Sequence, residues 1–381
     1  MATNKIDRLA QITPIVRGLL AEPSGNEDMP YNSVILGRDT KGGQDGAVPL
    51  RIKAFEADEG TKGSKGDEWT EGIRQQLQTA LEDYINQHGQ KPQTVQLDEL
   101  GVLAVSQKAE PAGPALRNKV ALVTGAAGAI GYGICRALLE KGCYLVASDL
   151  PGERLDNFIA VLSQESPGRV ISVGMDVTDK DCVERGFAEV VNAWGGVDIV
   201  VVNAGIALVG KLRDLDIDAF IKLEKVNVEG SLLTIAEAGR LFVAQNTGGD
   251  IIVVSTKNVP SPSAGFGAYS ATKAACHQLG RIASLELAEY GVRVNMVAPD
   301  AVFSEGQYRS GLWDMVGKDR MKVRGISEKE LHEYYRNRNL LKARVTGRHV
   351  ANAVLFFATR QTPTTGATIP VDGGLPDAVP R

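Results

Sequence analysis

The chain is predicted to fold as a doubly wound α/β protein, with seven parallel strands covered by helices and a small α+β domain before them. Three observations predict it. From Lys119 onward, short β-branched runs alternate with longer helix-like stretches, the pattern that right-handed crossovers and a parallel sheet produce. The runs are apolar, as strands buried on both faces require. A glycine-punctuated turn at 124–131 separates the first run from the first long helix.

Residues 1–116 are polar, with loop-like stretches at 39–46 and 58–66. A strand is predicted at 48–57. A helix is predicted at 67–89, because Trp69, Ile73, Leu77, Leu81 and Ile85 recur at spacing four and Gly89 can stop it. One or two short strands follow at 94–106. Residues 107–118, with Pro111, Gly113 and Pro114, read as a linker, which places the domains at 1–116 and 117–381. Strands are then predicted at 120–123, 144–148, 170–177, 198–202, 251–255, 292–298 and 367–371, with the clearest helices at 128–141, 218–245 and 266–290.

A length of 381 residues fits one large and one small domain. The apolar share of 43% is ordinary for a globular chain, and a net charge of −4 gives no support for nucleic acid or membrane as partner. Cys135, Cys143, Cys182 and Cys276 show no metal or redox spacing, so reduced core thiols and no metal site are expected. The first residues lack the apolar core of a signal peptide, and no run approaches the ~20 residues of a membrane helix. A cytoplasmic protein with a small-molecule partner is expected.

Two motifs carry chemistry. Tyr269 and Lys273 lie four residues apart and therefore on one helix face. The ammonium is expected to pull the phenol below its ordinary pKa of about 10, making an acid/base pair usable near neutral pH. In the turn, Gly125, Gly128 and Gly131 permit tight winding, and Ala129 and Ile130 open a helix whose free amides suit a pyrophosphate. Asp149, followed by Leu150, ends the next strand, where an acid binds adenosine ribose hydroxyls. No lysine or arginine lies within the turn or directly after Asp149, which favours NAD over NADP; the alternative role for Asp149 is a helix cap.

With these pieces, residues 117–374 resemble the short-chain dehydrogenase/reductase family. The matching residues are the 124–131 turn, Asp176 and Val177, Asn203-Ala204-Gly205, Asn227, Tyr269 with Lys273, Pro299, and Val371-Asp372-Gly373-Gly374. The resemblance implies a Rossmann fold and an oxidoreductase. It implies that Asp176 and Val177 meet the adenine, that Asn203, Ala204 and Gly205 line the cofactor cleft, and that Pro299, Val302 and Ser304 lie toward the nicotinamide. It assigns Asn227 to a water relay, Lys273 to the nicotinamide ribose, and Tyr269 to proton exchange while the cofactor carries hydride. The catalytic hydroxyl falls on Thr256, thirteen residues before the tyrosine, with Ser255 the alternative, since neighbours on a strand face opposite ways. This chain departs from the family at Ala129, which replaces a glycine, at Asp300 after Pro299, and at Ser304 in place of threonine. The family is usually tetrameric, and helices 218–245 and 266–290 have apolar faces suited to a homo-oligomer, dimer or tetramer.

Residues 303–348, where the family builds its substrate lid, hold eleven Lys/Arg against six acids. Lys257 follows Thr256 directly. Together they suggest an anionic or highly hydroxylated substrate, with Lys257, Asn258 and Asp300 as candidate contacts. The competing reading is a solvated mixed-charge face, with Asp300 a turn or cap residue. Thr256–Asn258 as Thr-Lys-Asn, Pro-Asp-Ala-Val at 299–302 and Tyr-Tyr-Arg-Asn-Arg at 334–338 are similar to the dehydrogenase half of bifunctional class II aldolase/short-chain dehydrogenases, which act on lactaldehyde. Residues 1–116 contain only His88, too few ligands for an aldolase metal. A shortened relic that packs on the dehydrogenase, covers its cleft or mediates assembly is expected there. The function expected is NAD-dependent interconversion of a secondary alcohol and a carbonyl on a sugar, polyol or sugar phosphate, of the sorbitol-phosphate type. The alternatives are a lactaldehyde or small-diol dehydrogenase and a non-catalytic nucleotide-binding scaffold. A scaffold has no need of Asn227, Thr256, Tyr269 and Lys273 together.

Overall fold

The structure is a computed structural model that describes residues 2–24, 27, 29, 31–38, 48–52, 66–98, 100–107 and 115–376. The N-terminal part holds α1 (Ala2–Leu20), β1 (Ile35–Arg38), β2 (Leu50–Ile52), α2 (Gly66–His88), β3 (Thr94–Leu97) and β4 (Gly101–Gln107). These four strands form one sheet in the order β1–β4–β3–β2, with β2 and β3 parallel and the other pairs antiparallel, beside a short antiparallel pair of Glu22–Pro23 with Tyr31–Asn32. The spacing-four stripe of α2 works as expected: Ile73, Leu77 and Leu81 are buried with Leu9, Ile12, Ile15 and Val16 of α1. Of the strand predicted at 48–57, only Leu50–Ile52 pairs; 53–65, the 39–46 loop and linker residues 108–114 lie outside the described residues.

The main sheet contains β5 (Val120–Thr124), β6 (Tyr144–Asp149), β7 (Val170–Gly174), β8 (Ile199–Val202), β9 (Gly249–Val254), β10 (Val292–Pro299) and β11 (Thr368–Val371). All neighbours are parallel, in the order β11–β10–β9–β8–β5–β6–β7. Period-two alternation divides each strand between two cores. Ala121 and Val123 face α3 (Ala129–Glu140), α4 (Glu153–Glu165) and α11 (Gly347–Ala358). Val120 and Leu122 face α5 (Lys180–Trp194), α7 (Gly230–Gln245) and α8 (Gly267–Glu286).

Two predicted elements end differently. The run 170–177 pairs only to Gly174, because the Asp176 carboxylate accepts from Thr178 N (2.9 Å) and turns the chain out of the sheet. The helix predicted at 218–245 is α6 (Ile217–Glu224), then a π-helical turn at Lys225–Glu229, then α7. That turn carries Asn227, and such bulges recur at functional sites. Between β10 and α11 lie a two-residue hairpin, α9 (Gly311–Arg324) and α10 (Glu328–Asn337).

The N-terminal part docks on α5 and α7 at the amino ends of the main strands. Gly18 makes this close: a Cβ there would collide with the Gln245 carbonyl at the end of α7. Asp198, just before β8, is the joint. Its carboxylate accepts from Arg17 (2.7 Å), Ser33 Oγ (2.6 Å) and Val120 N (2.8 Å), with Lys119 3.6 Å away. Burial alone would raise its pKa; the Arg17 and Lys119 charges and the Arg17 and Ser33 hydrogen bonds outweigh that and hold it well below the carboxylate range. Arg17 also donates to the Val34 carbonyl (2.9 Å). Among the described residues of 1–116 none lines the cleft at the carboxyl ends, and α1 packs against α5 and α7.

His88 ends α2, its ring 4.4 Å from that of Tyr84. Cys135, Cys143 and Cys276 are buried and Cys182 partly so, all as free thiols. Among the described residues no helix is long and apolar enough to cross a membrane. Removing one partner of a buried ion pair leaves a charge uncompensated, at about 3–5 kcal/mol. Arg17→Ala is therefore expected to lower unfolding free energy by that amount in a denaturant titration; a loss under ~1 kcal/mol would mean the pair does not hold the N-terminal part in place.

Candidate active site

The strand order reverses between β5 and β8, and a cleft of about 620 Å³ opens at the carboxyl ends there. Such a switch point is where open α/β sheets receive ligands. Asn203, past β8, ties the two strands together. Its backbone N donates to Thr124 Oγ1 (3.0 Å), and its side-chain amide donates to the carbonyls of Thr124 and Gly125 (both 2.9 Å). Gly125 has φ +61°, and a Cβ on it would stand 2.9 Å from Ala204 Cα. Only glycine serves there. The turn leads into α3 with Gly128 as N-cap and no side-chain cap, so the first amides remain available to an anion.

Asp149 lies at the end of β6. One carboxylate oxygen accepts from Ala127 N (3.0 Å) and the other from Leu150 N (2.9 Å), which fixes it beside the glycine turn. Arg154, in the first turn of α4, reaches back to donate to the Ala127 carbonyl (3.0 Å). It lies five positions after Asp149, beyond the residues that directly follow that aspartate.

At the other end of the cleft, α8 begins at Gly267 and presents Tyr269 and Lys273, both buried. Thr256 and Ser255 follow β9 and diverge. The Thr256 hydroxyl hydrogen-bonds Tyr269. Ser255 Oγ instead lies 2.9 Å from His277 Nδ1. Lys273 Nζ donates to the Val254 carbonyl (3.0 Å) and flanks Gly205, where a Cβ would stand 3.2 Å from that ammonium.

The lowered tyrosine pKa expected from the i, i+4 pair is corrected here. Burial pushes the Tyr269 phenol up to about 12, and the Thr256 hydrogen bond only partly opposes it. The lysine side chain spends its charge on the Val254 carbonyl, and burial lowers its own pKa. Helical spacing placed both groups on one face but did not fix where the long side chain points.

Asn227 is buried, its side chain engaged with the N–H and C=O of Ile206 (both 3.0 Å) and with Thr272 Oγ1 (3.1 Å). That amide positions the loop after β8, and Asn227 itself does not line the cleft. Gly128, Ala129, Ile130, Gly131, Leu150, Asp176, Val177, Ala204, Lys257, Asn258, Pro299, Asp300 and Val302 all line it, whereas Ser304 lines a separate cavity of about 120 Å³. Asp300 forms an ion pair with Arg338. Trp313 of α9, and Tyr335 and Arg338 by α10, complete the substrate end with Arg320. The charge count of 303–348 could not single these out, because other cations of the same segment, such as Arg309 of the hairpin and Arg336 of α10, pair with acids outside the cleft.

Residues 119–312 match the family model described as short chain dehydrogenase. The chain belongs to the short-chain dehydrogenase/reductase family. It is an oxidoreductase acting on CH–OH donors. It is similar to the uncharacterized oxidoreductase YuxG of Bacillus subtilis, 32% identical over 305 residues, 80% of this chain and 44% of that one. The chain thus spans less than half of that relative's length. It is 31% identical to an NAD-dependent glycerol dehydrogenase of Listeria innocua over 55% of this chain and 80% of that one. Among solved structures, sorbitol-6-phosphate 2-dehydrogenase SrlD of Erwinia amylovora superposes with a TM-score of 0.62 at 26% identity, covering 67% of this chain and 98% of that one.

The raised phenol in this dehydrogenase is directly measurable. An ultraviolet titration of the protein without added nucleotide, wild type minus Tyr269→Phe, is expected to show one phenol ionising near 12. Folded Tyr269 keeps its proton where an unfolded tyrosine (about 10) loses it, so its contribution to stability falls as pH rises from 10 toward 12. A difference step below pH 10 would reverse the correction.

Proposed function

We propose that this dehydrogenase interconverts a secondary alcohol and a ketone on a polyol, sugar or sugar-phosphate-like substrate, with NAD as cofactor. The observation that carries the reading is the union, in one cleft, of the uncapped glycine turn with Thr256, Tyr269 and Lys273. The residues fit a dinucleotide: Gly125 and Gly205 stand where side chains would fill the cradle, and the α3 amides face it. When bound, the nicotinamide supplies the hydride chemistry.

The chain's own residues handle the proton. Thr256 and Tyr269 hold the substrate oxygen, and Tyr269 Oη gives or takes the proton. Lys273 keeps a cation near that phenol; its burial beside Gly205 means that any ligand there meets the ammonium. Asn227 acts as a positioning residue through the Ile206 loop. A pair held this way suits proton transfer coupled to a ligand that fills the cleft, as water exclusion strengthens each interaction.

Asp149 supports NAD, because a carboxylate at that place repels a 2′-phosphate. The exposed apolar side chains Ile217, Ile221 and Leu232 on α6 and α7, and Ile282 and Leu285 on α8, support assembly through that face.

Spectrophotometric screening of NADH formation over polyols, their phosphates and small diols tests the reading. Tyr269→Phe is expected to lower kcat by roughly 10²–10⁴, and undiminished turnover in that variant would remove the tyrosine from the mechanism. NAD is expected to exceed NADP by about tenfold or more in kcat/KM, with Asp149→Ser narrowing the ratio. Equal use of the two by the wild type would overturn the cofactor choice.

A further inference from the structure

The substrate end of the cleft contains two buried cations that the hydride chemistry does not use. Lys257, next after Thr256, is only 6% exposed, and its Nζ donates to the Ser261 carbonyl (3.2 Å) and Ser263 Oγ (3.1 Å). An ammonium has three donors, so one is left. Arg320, also 6% exposed, lies 4.3 Å from the centroid of the Phe266 ring, which is itself 6.0 Å from that of Tyr269. Its NH2 meets Tyr335 Oη only at 3.4 Å, and among the described residues its buried Nε has no partner.

The carboxylates around them are engaged elsewhere. Asp300 is paired with Arg338, whose guanidinium lies over Tyr335 at 4.2 Å, and Asp314 is 3.4 Å from Arg309. Burial, with Arg338 and Arg320 adding to it and Asp300 and Asp372 opposing, brings Lys257 down to about 8. Buried cations without a counter-charge are costly, and a guanidinium with open edges matches an oxyanion. Asn258 Oδ1, buried in the same cleft with no partner among the described residues, is an acceptor suited to a substrate hydroxyl.

We propose that Lys257 and Arg320 form an oxyanion subsite that receives a phosphate or carboxylate carried on the far end of a hydroxylated substrate, an inference that rests on the oxidoreductase reading above. The Phe266 ring neighbours both the guanidinium and the Tyr269 ring in this one cleft. The substrate then has its reacting carbinol at Tyr269 and its anion at Arg320.

The test measures NAD-dependent kcat/KM on a hexitol, its 6-phosphate and the aldonate of equal chain length, in wild type, Lys257→Met and Arg320→Met. One of the two anions is expected to exceed the hexitol by about tenfold or more, the scale of one charged hydrogen bond, and which one does identifies the head group. Each variant is expected to reduce that preference by a similar factor, with the loss in KM, and Arg320→Lys to recover part of it. Equal efficiency on all three by the wild type, or a preference that survives both substitutions, overturns the subsite while leaving the oxidoreductase intact. Absence of NADH from all three substrates counts against the proposed substrate class and cofactor instead. In that event, melting of the full chain in inorganic phosphate against chloride at matched ionic strength decides the subsite: stabilisation lost in Arg320→Met supports it, and an equal shift in both proteins overturns it.

Discussion

With helices packed on both faces, the parallel sheet can present polar groups to a ligand only where its strands end. Interior positions such as Val123, Val201 and Val253 are fully buried, and the chemistry begins one or two residues later. Thr124 and Asn203 lock the ends of the central strands together, and Lys273 reaches across to the carbonyl of Val254 at the end of the next. These bonds satisfy the backbone groups that the ladder leaves open at its rim. The same contacts shape the cleft and hold the reactive groups, so rigidity and chemistry have one origin.

The two ends of the sheet divide the labour. At the amino ends Asp198 gathers Arg17, Ser33 and Lys119 and fastens a four-stranded appendage. At the carboxyl ends the cleft takes its walls from the turn after β5 and from the α9–α10 segment. A buried ion pair gives little net stability against a well-packed apolar equivalent, but it penalises wrong docking heavily. Position is what Asp198 contributes.

Burial and charge compete openly at Tyr269. Nearby charge and full burial each shift a pKa by a few units, in opposite senses for a phenol beside an ammonium. Here burial dominates, because the lysine nitrogen is turned to a carbonyl and the only group opposing the shift is the Thr256 hydroxyl. A buried phenol that holds its proton is a donor at rest.

Much was legible in the sequence. Strand runs of branched apolar residues, the glycine turn and the spacing of Tyr269 and Lys273 are local patterns, and local backbone chemistry dictates what they become. The sequence left open which of Thr256 and Ser255 turns its hydroxyl to Tyr269; both line the cleft, and His277, more than twenty residues on, takes up the Ser255 hydroxyl. It likewise left open which of eleven cations near the lid turn inward, where Asn227 spends its amide and where residues 1–116 settle. Those outcomes depend on partners distant in the chain: Arg17 meets Asp198, and Arg320 meets Phe266. Periodicity fixes which face a side chain occupies, while its partner and its dielectric surroundings exist only once the elements have packed.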